Sequence, residues 1–163
     1  MNKMQAVLDR LDQWGIPYEL VEHPAAYTMA DIESFELEDK GLSAKNLFLR
    51  NQKGNRHFLL VVAGDKRVDL KSLGAAIGEK LSFASEERLK KHLGLDKGAV
   101  SPMGIIFDET RQVEVLMDKD LKGVPSIGFH PAVNTATVYI SGEGLELFIE
   151  KSGNPSASAV VIQ

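Results

Sequence analysis

The first forty residues show two helical apolar patterns separated by a short extended segment. A first helix is predicted over residues 3–14, because four apolar residues recur at helical spacing and a glycine follows them. These residues are Val7, Leu8, Leu11 and Trp14. Residues 16–22 alternate like an edge strand, in which Pro17 is tolerated because it need not donate a ladder hydrogen bond. Thr28, with an acid three residues later, predicts the cap of a second helix that runs to about residue 37.

Two apolar runs joined by a turn predict a β-hairpin after this second helix. The runs cover residues 43–49 and 57–63, and the glycine- and asparagine-containing turn covers residues 51–55. Lys45 and Asn46 stand where the first strand begins. A lysine in this place can point into a cleft, so the first strand is the part of the chain where function is expected.

Capped helices follow the hairpin. Asp69 is predicted to cap a helix that ends at Gly78, and Ser85 to cap a helix over residues 86–93. The second of these has acids in its first turn and bases in its last turn, which complements the helix dipole at both ends. Ser141 is predicted to cap a last helix that ends near Gly153.

Short strands fill the rest of the chain. They are predicted at residues 81–83, 104–107, 113–117 and 135–140. Residues 123–131 are rich in turn formers and are predicted to be a loop, and the tail after residue 157 is either disordered or an edge strand at residues 160–162. The expected fold is therefore α/β (α+β), with a mixed, mostly antiparallel β-sheet or barrel surrounded by helices.

Composition and charge fit one globular domain over residues 1–163, with 44% hydrophobic and 26% charged residues. No apolar run approaches the roughly 18 residues of a membrane span, and the start does not resemble a secretory signal, so a cytoplasmic location is expected. The net charge of −4 argues against a protein that coats nucleic acid, although basic residues crowd the middle of the chain. The absence of cysteine excludes disulfides and thiolate chemistry.

Most catalytic templates are missing from the sequence. The four histidines have no partner at metal-ligand spacing, and phosphate-loop, nucleophile-elbow and dinucleotide patterns are absent, so neither a metal nor a cofactor is expected. Two features remain, the Lys45-Asn46 pair and the loop of residues 128–131 with Gly128 and His130. On residue type alone, a solvated lysine and a turn histidine are the commoner explanation, although functional groups favour loops on a rigid scaffold.

A set of segments that occurs in one consistent order makes a functional role for the lysine and the histidine the better explanation. They are Thr28-Met29, residues 43–49, 66–71, 81–89 and 98–104, Phe129-His130-Pro131 and residues 134–137. Together they cover nearly the whole chain, and they resemble the YbaK and prolyl-tRNA-synthetase-associated editing superfamily. More narrowly, they resemble its ProXp-ala (PrdX) branch.

The resemblance implies a freestanding deacylase that hydrolyses alanine wrongly esterified to proline tRNA, on a YbaK-like fold without a cofactor. Its partners would be alanine-charged proline tRNA and, beyond that, prolyl-tRNA synthetase or an elongation factor. The implied catalytic residues are Lys45, Asn46, Gly128 and His130. Substrate binding is assigned to Met29, Ile32, Phe35, Phe129 and Ser101, and tRNA binding to Lys66, Arg67 and Lys71.

Ester hydrolysis of this kind needs a placed water and a stabilised oxyanion more than a covalent nucleophile. Lys45 is expected to act as a fixed positive charge on the RNA backbone or the ester, and His130 either as a general base or through its backbone. A small cavity would exclude proline by size. Cysteinyl, seryl or threonyl esters of tRNA, or a non-catalytic aminoacyl-tRNA-binding module, are the alternatives.

Overall fold

Four α-helices lie where caps and apolar stripes predict them. The structure is a computed structural model that describes residues 2–25, 40–64 and 66–160, with the backbone alone at 158–160. The helices are α1 (Lys3–Gln13), α2 (Leu70–Ile77), α3 (Glu86–Leu93) and α4 (Gly142–Ser152). Asp69, Ser85 and Ser141 accept hydrogen bonds at the starts of the last three helices, as predicted. Within the described ranges, no helix is both long and apolar enough to cross a membrane.

Eight strands form one mixed sheet in the described part of the chain. They are β1 (Glu19–Glu22), β2 (Leu42–Asn51), β3 (His57–Ala63), β4 (Leu81–Phe83), β5 (Glu114–Asp118), β6 (Ile127–Phe129), β7 (Ala136–Ile140) and β8 (Ser156–Val160). The order is β1-β7-β6-β2-β3-β5-β8, and β4 pairs with β2. The pairings of β6 with β2, β3 with β5 and β5 with β8 are parallel and the others are antiparallel, so the predicted α+β class is confirmed.

Strand β2 joins the two halves of the sheet. Its first two residues pair in parallel with β6, its last three pair antiparallel with β4, and its other edge pairs along seven residues with β3. The β2–β3 hairpin therefore lies at the centre of the sheet, as the apolar pattern predicts. Because side chains alternate between faces along a strand, β2 contributes to both sides of the fold.

The two faces of the sheet bury separate apolar clusters. On one face, which we call the main-core face, residues such as Phe48, Val61 and Phe129 pack with buried side chains of α1 and α4. On the opposite face, Leu49 and Leu60 pack against Leu73 of α2. Because strand β3 is covered on both faces, its sequence is a continuous apolar run without alternation.

Residues 104–107, predicted as a strand, instead belong to a 3₁₀ helix over Pro102–Phe107. The Ser101 hydroxyl oxygen accepts a hydrogen bond from the Met103 amide, and Pro102 occupies the first turn, where its missing N–H costs nothing. Local capping thus decides the conformation of this apolar run, which the hydrophobic pattern alone assigns wrongly.

Two further expectations need correction. The loop predicted over residues 123–131 contains the three-residue strand β6, which is too short to show a hydrophobic alternation. The tail forms the edge strand β8 over Ser156–Val160, earlier in the chain than the predicted edge strand. The predicted helix from Thr28 to about residue 37 lies outside the described residues.

The rings of His57 and His92 contact each other beside the β2–β3 hairpin, although the two residues are far apart in sequence. Their ring centroids are 4.0 Å apart, and His57 also stacks on Phe48 and receives a hydrogen bond from Arg88 at 3.1 Å. Burial, with the charges of His92 and Arg88, lowers the pKa of His57 to about 4. His57 is buried and His92 half-buried, and because burial lowers the pKa of each ring, both are neutral at neutral pH.

This arrangement predicts that mild acid destabilises the fold. The unfolded chain takes up a proton on residue 57 below about pH 6.5, whereas the folded chain does not until about pH 4. Stability contributed by His57 is therefore present above pH 6.5 and is lost as the pH falls towards 4, by roughly 3 kcal/mol in total. Urea unfolding at pH 7.5 and 5.0 measures this loss, and His57→Gln should reduce it. An equal loss in the variant would contradict the assignment.

Candidate functional site

The pairing register brings residues from both ends of the chain to one face of the sheet. Ser43 pairs with Gly128, and Gly128 pairs with Tyr139. Paired residues share a face, and so do residues two apart on one strand, so Lys45, Gly128 and Thr137 all project from the same side. We call this side, opposite the main-core face, the Lys45 face. It is the candidate functional site.

The Lys45 ammonium group is held by the chain that follows β3. Its Nζ atom donates a hydrogen bond of 2.9 Å to the Lys66 carbonyl oxygen. Lys66 is in turn paired with the fully buried carboxylate of Asp118 at 2.9 Å and with Asp120, and these hydrogen bonds raise the pKa of Lys66. Lys66 was predicted to bind tRNA, but its charge is already matched by two carboxylates. The backbone carbonyl of Lys66 also positions Lys45.

Gly128 forms a flat floor on the Lys45 face. Any larger residue at this position would force its neighbours to move. A Cβ atom at this position would lie 2.9 Å from Cε1 of Tyr139 and 3.0 Å from Cγ2 of Thr137. The floor is therefore formed by backbone and by the flanks of these two side chains. Such a surface lets the polar groups of a ligand approach the main chain closely.

His130 is a hydrogen-bond acceptor at neutral pH. Its Nδ1 atom lies 3.1 Å from the Ala136 carbonyl oxygen, which can only accept, so Nδ1 carries the proton and Nε2 keeps its lone pair. Burial, with a smaller contribution from the charge of His23, lowers the pKa of His130 below its usual value. The ring is therefore neutral at pH 7, with Nε2 available to accept a proton.

A second histidine, His23, lies beside His130 with 6.3 Å between ring centroids. His23 Nδ1 lies 2.7 Å from the Pro24 carbonyl oxygen, which can only accept, so Nδ1 carries a proton, and Nε2 lies 2.7 Å from the Thr137 hydroxyl. Neither His23 nor Thr137 was singled out as a site residue from the sequence. The one signal was the dipeptide His-Pro, which occurs at both 23–24 and 130–131.

Three residues assigned to the site lie elsewhere. Asn46 pairs with Val61 and so projects from the main-core face, where its Oδ1 atom is buried without a hydrogen-bond partner among the described residues. Phe129 is 2% exposed and belongs to the main core. The Ser101 side chain is fully buried and caps the 3₁₀ helix at Pro102. The structure does not bring these side chains to the Lys45 face.

The remaining assigned residues are of two kinds. Met29, Ile32 and Phe35 lie outside the described residues. Arg67 and Lys71 are exposed and form no ion pair with any residue that the structure describes. Lys71 also lines an open groove of about 570 Å³ between α2 and β4. These two cations remain candidates for contacts with a phosphate backbone.

Comparison with known proteins identifies the family of the chain. The family model of the aminoacyl-tRNA editing domain matches residues 23–148, a range that contains Lys45, Gly128, His130 and both residues of the His23–Thr137 pair. The chain belongs to the aminoacyl-tRNA editing domain family. The resemblance found in the sequence is thereby confirmed.

Relatives of this editing domain match it along nearly their whole length. The prolyl-tRNA editing protein ProX of Acetoanaerobium sticklandii is 48% identical over 155 residues, which is 94% of each chain. Prolyl-tRNA synthetase associated domain-containing protein 1 of Mus musculus is 30% identical over 94% of each chain. The crystal structure of a proposed trans-editing enzyme for prolyl-tRNA synthetase shares the fold, with a TM-score of 0.75, 24% identity and coverage of 97% and 96% of the two chains.

The ion pair between Asp118 and Lys66 predicts that replacing Asp118 destabilises the fold more than replacing the neighbouring Asp120. Asp118→Asn should lower the free energy of unfolding by about 2 kcal/mol, because the buried carboxylate binds both the Ala63 amide and the Lys66 ammonium. Asp120→Asn is the matched control and should cost much less than Asp118→Asn, because Asp120 is half exposed and its ion pair is screened by solvent. Urea unfolding of both variants measures the difference, and equal losses would contradict it.

Proposed function

We propose that this editing domain is a trans-editing deacylase that hydrolyses the ester between alanine and proline tRNA. The proposal is carried by Lys45 and Gly128, which project from one face of the sheet although they lie more than eighty residues apart in sequence. Thr137 projects from the same face, and the His23 ring that contacts Thr137 lies beside His130. The match to ProX over 94% of both chains supports proline tRNA as the carrier. We place the reaction in the cytoplasm, where proline tRNA is charged.

The Lys45 ammonium supplies a positioned positive charge for the 3′ end of the substrate. One of its three N–H groups is committed to the Lys66 carbonyl, which leaves two for a phosphate or for the ester oxygen. Because the ammonium is fixed before substrate binds, little reorganisation is needed when negative charge develops on the carbonyl oxygen. This is the role expected of Lys45 from the sequence.

His130 Nε2 supplies an acceptor for the proton that leaves the attacking water. Water adds to the ester carbonyl, its proton passes to Nε2, and collapse of the tetrahedral intermediate expels the ribose oxygen, which takes up that proton. The products are free alanine and intact tRNA. The backbone at Gly128 lies in position to hold the aminoacyl group against the sheet during these steps.

Selectivity in this proposal comes from the size of the cavity over the Gly128 floor. A restricted cavity admits alanine and excludes proline, and Met29, Ile32 and Phe35 are proposed to line it. Asn46, which projects from the other face, is proposed to support strand β2 beneath Lys45. Arg67 and Lys71 are proposed to contact tRNA.

Replacement of Lys45 tests the enzyme assignment. Wild-type protein should hydrolyse alanyl-tRNA(Pro) faster than cysteinyl-, seryl- or threonyl-tRNA(Pro), and should spare prolyl-tRNA(Pro). Lys45→Ala should lower the single-turnover rate by about 100-fold or more, because a preorganised charge at the oxyanion is lost. Lys151→Ala, an exposed lysine on α4, is the control and should keep the full rate.

Two results would contradict the proposal. Ester loss no faster than in buffer for every substrate would leave only a binding module. Faster loss of another ester than of the alanyl ester would assign a different amino acid to the same chemistry.

The pH dependence of the rate tests the role of His130. Burial lowers the pKa of this ring, and the neutral form is the proton acceptor. The enzymatic rate, after subtraction of buffer hydrolysis, should stay constant from pH 8 to about 6.5 and fall only below the usual histidine range. His130→Gln should lower the plateau and remove the acid limb. An acid limb that is unchanged in this variant would assign the titration to another group.

A further inference from the structure

Two arginines converge at the tip of the central hairpin. Gly54 occupies this tip with a φ of 74°, and the point where its Cβ would lie is 3.0 Å from an Nη atom of Arg88 and 3.1 Å from an Nη atom of Arg50. A side chain at position 54 would displace both guanidinium groups. The glycine therefore permits two like charges to lie side by side.

Neither guanidinium has a carboxylate to balance it. Arg50 donates to the carbonyl oxygens of Asn51 and Gln52, at 3.2 and 3.1 Å. Arg88 donates to the Gly54 carbonyl oxygen at 3.2 Å and to His57 at 3.1 Å. No ion pair joins either arginine to an acid within the described ranges.

The surroundings add positive charge to this pair. Lys91 follows Arg88 on α3, and burial together with the charges of Arg88, Arg50 and Lys91 lowers the pKa of His57. Glu86, in the first turn of α3, is paired with Lys97 at 3.4 Å. In a chain with a net charge of −4, such an unbalanced group of cations is suited to an anion.

We propose that Arg50 and Arg88 bind a phosphate group, and that this phosphate belongs to the acceptor arm of the tRNA. Paired guanidinium groups offer several N–H donors to phosphate oxygens in a geometry that a single lysine cannot reproduce. The assignment of the phosphate to tRNA rests on the proposed function. The phosphate site itself rests only on the two arginines and Gly54.

The position of the pair along β2 favours tRNA over a free phosphate. Arg50 is five residues beyond Lys45, a distance of roughly 17 Å along a strand that a few nucleotides can span. This odd spacing directs the Arg50 side chain to the main-core face, at the hairpin end of the sheet. Between Lys45 and Arg50, Phe83 pairs with Leu49, projects from the Lys45 face and is 64% exposed. An exposed ring offers a stacking surface for an unpaired base. An acceptor end with its ester at Lys45 would pass over Phe83 and reach the two guanidinium groups around the hairpin end of the sheet.

The test compares a substrate that has phosphates with one that lacks them. Arg50→Ala and Arg88→Lys should each weaken the Kd for uncharged proline tRNA by about tenfold. Arg50→Ala, which removes a charge, should also reduce the slope of log Kd against log salt by about one. Hydrolysis of alanyl-adenosine, which has no phosphate, should be unchanged. Lys151→Ala is the control for loss of one charge. Arg50→Ala is the safer variant for folding, because the Arg50 guanidinium binds only two turn carbonyls.

The outcomes separate this inference from the proposed function. Unchanged Kd and salt slope in both folded variants would overturn the phosphate site on tRNA, even if the wild type hydrolyses alanyl-tRNA(Pro). A Gly54 amide that shifts in NMR spectra with inorganic phosphate, while both variants bind tRNA normally, would assign the site to a small phosphate ligand instead. Failure of the wild type to hydrolyse any ester would remove the proposed function, whereas a tenfold loss of tRNA binding would still support the pair.

Discussion

The double pairing of strand β2 is the constraint on which the rest of the molecule depends. Its first residues pair with β6, and through β6 with β7, while its length pairs with β3. A shift of one residue in the β2–β6 register would turn Lys45 to the main-core face and away from Gly128. The buried alternation of β2, with Phe48 on one face and Leu49 on the other, prevents that shift.

Polar contacts then orient the side chains that the strand register brings together. Lys45 is aimed by a backbone carbonyl of Lys66, and Lys66 is held in place by the buried carboxylate of Asp118. His130 and His23 each place Nδ1 against a backbone carbonyl oxygen, and in the neutral His130 ring this leaves Nε2 as the acceptor. Main-chain groups thus orient the lysine and both histidines, so that the site depends on the fold more than on neighbouring side chains.

Sequence reasoning succeeded where a single local cause decides the structure. Caps and apolar stripes located α2, α3 and α4, and the turn located the β2–β3 hairpin. It failed at residues 104–107, where a serine cap outweighs an apolar run, and at the three-residue strand β6. The residues of the site itself were found largely by resemblance. His23 and Thr137 were missed because only the pairing of β1 with β7 brings them together.

The central claim is that the Lys45 face binds the aminoacyl end of the tRNA. NMR titration with 3′-alanylamino-3′-deoxyadenosine, whose amide bond replaces the ester and is not hydrolysed, tests it most directly. The account predicts that the amides of Gly128, Thr137 and the residues beside Lys45 and His130 shift together, while those of the main-core strand positions stay unchanged. Saturable shifts confined to another surface, with the Gly128 and Thr137 amides unmoved, would contradict it.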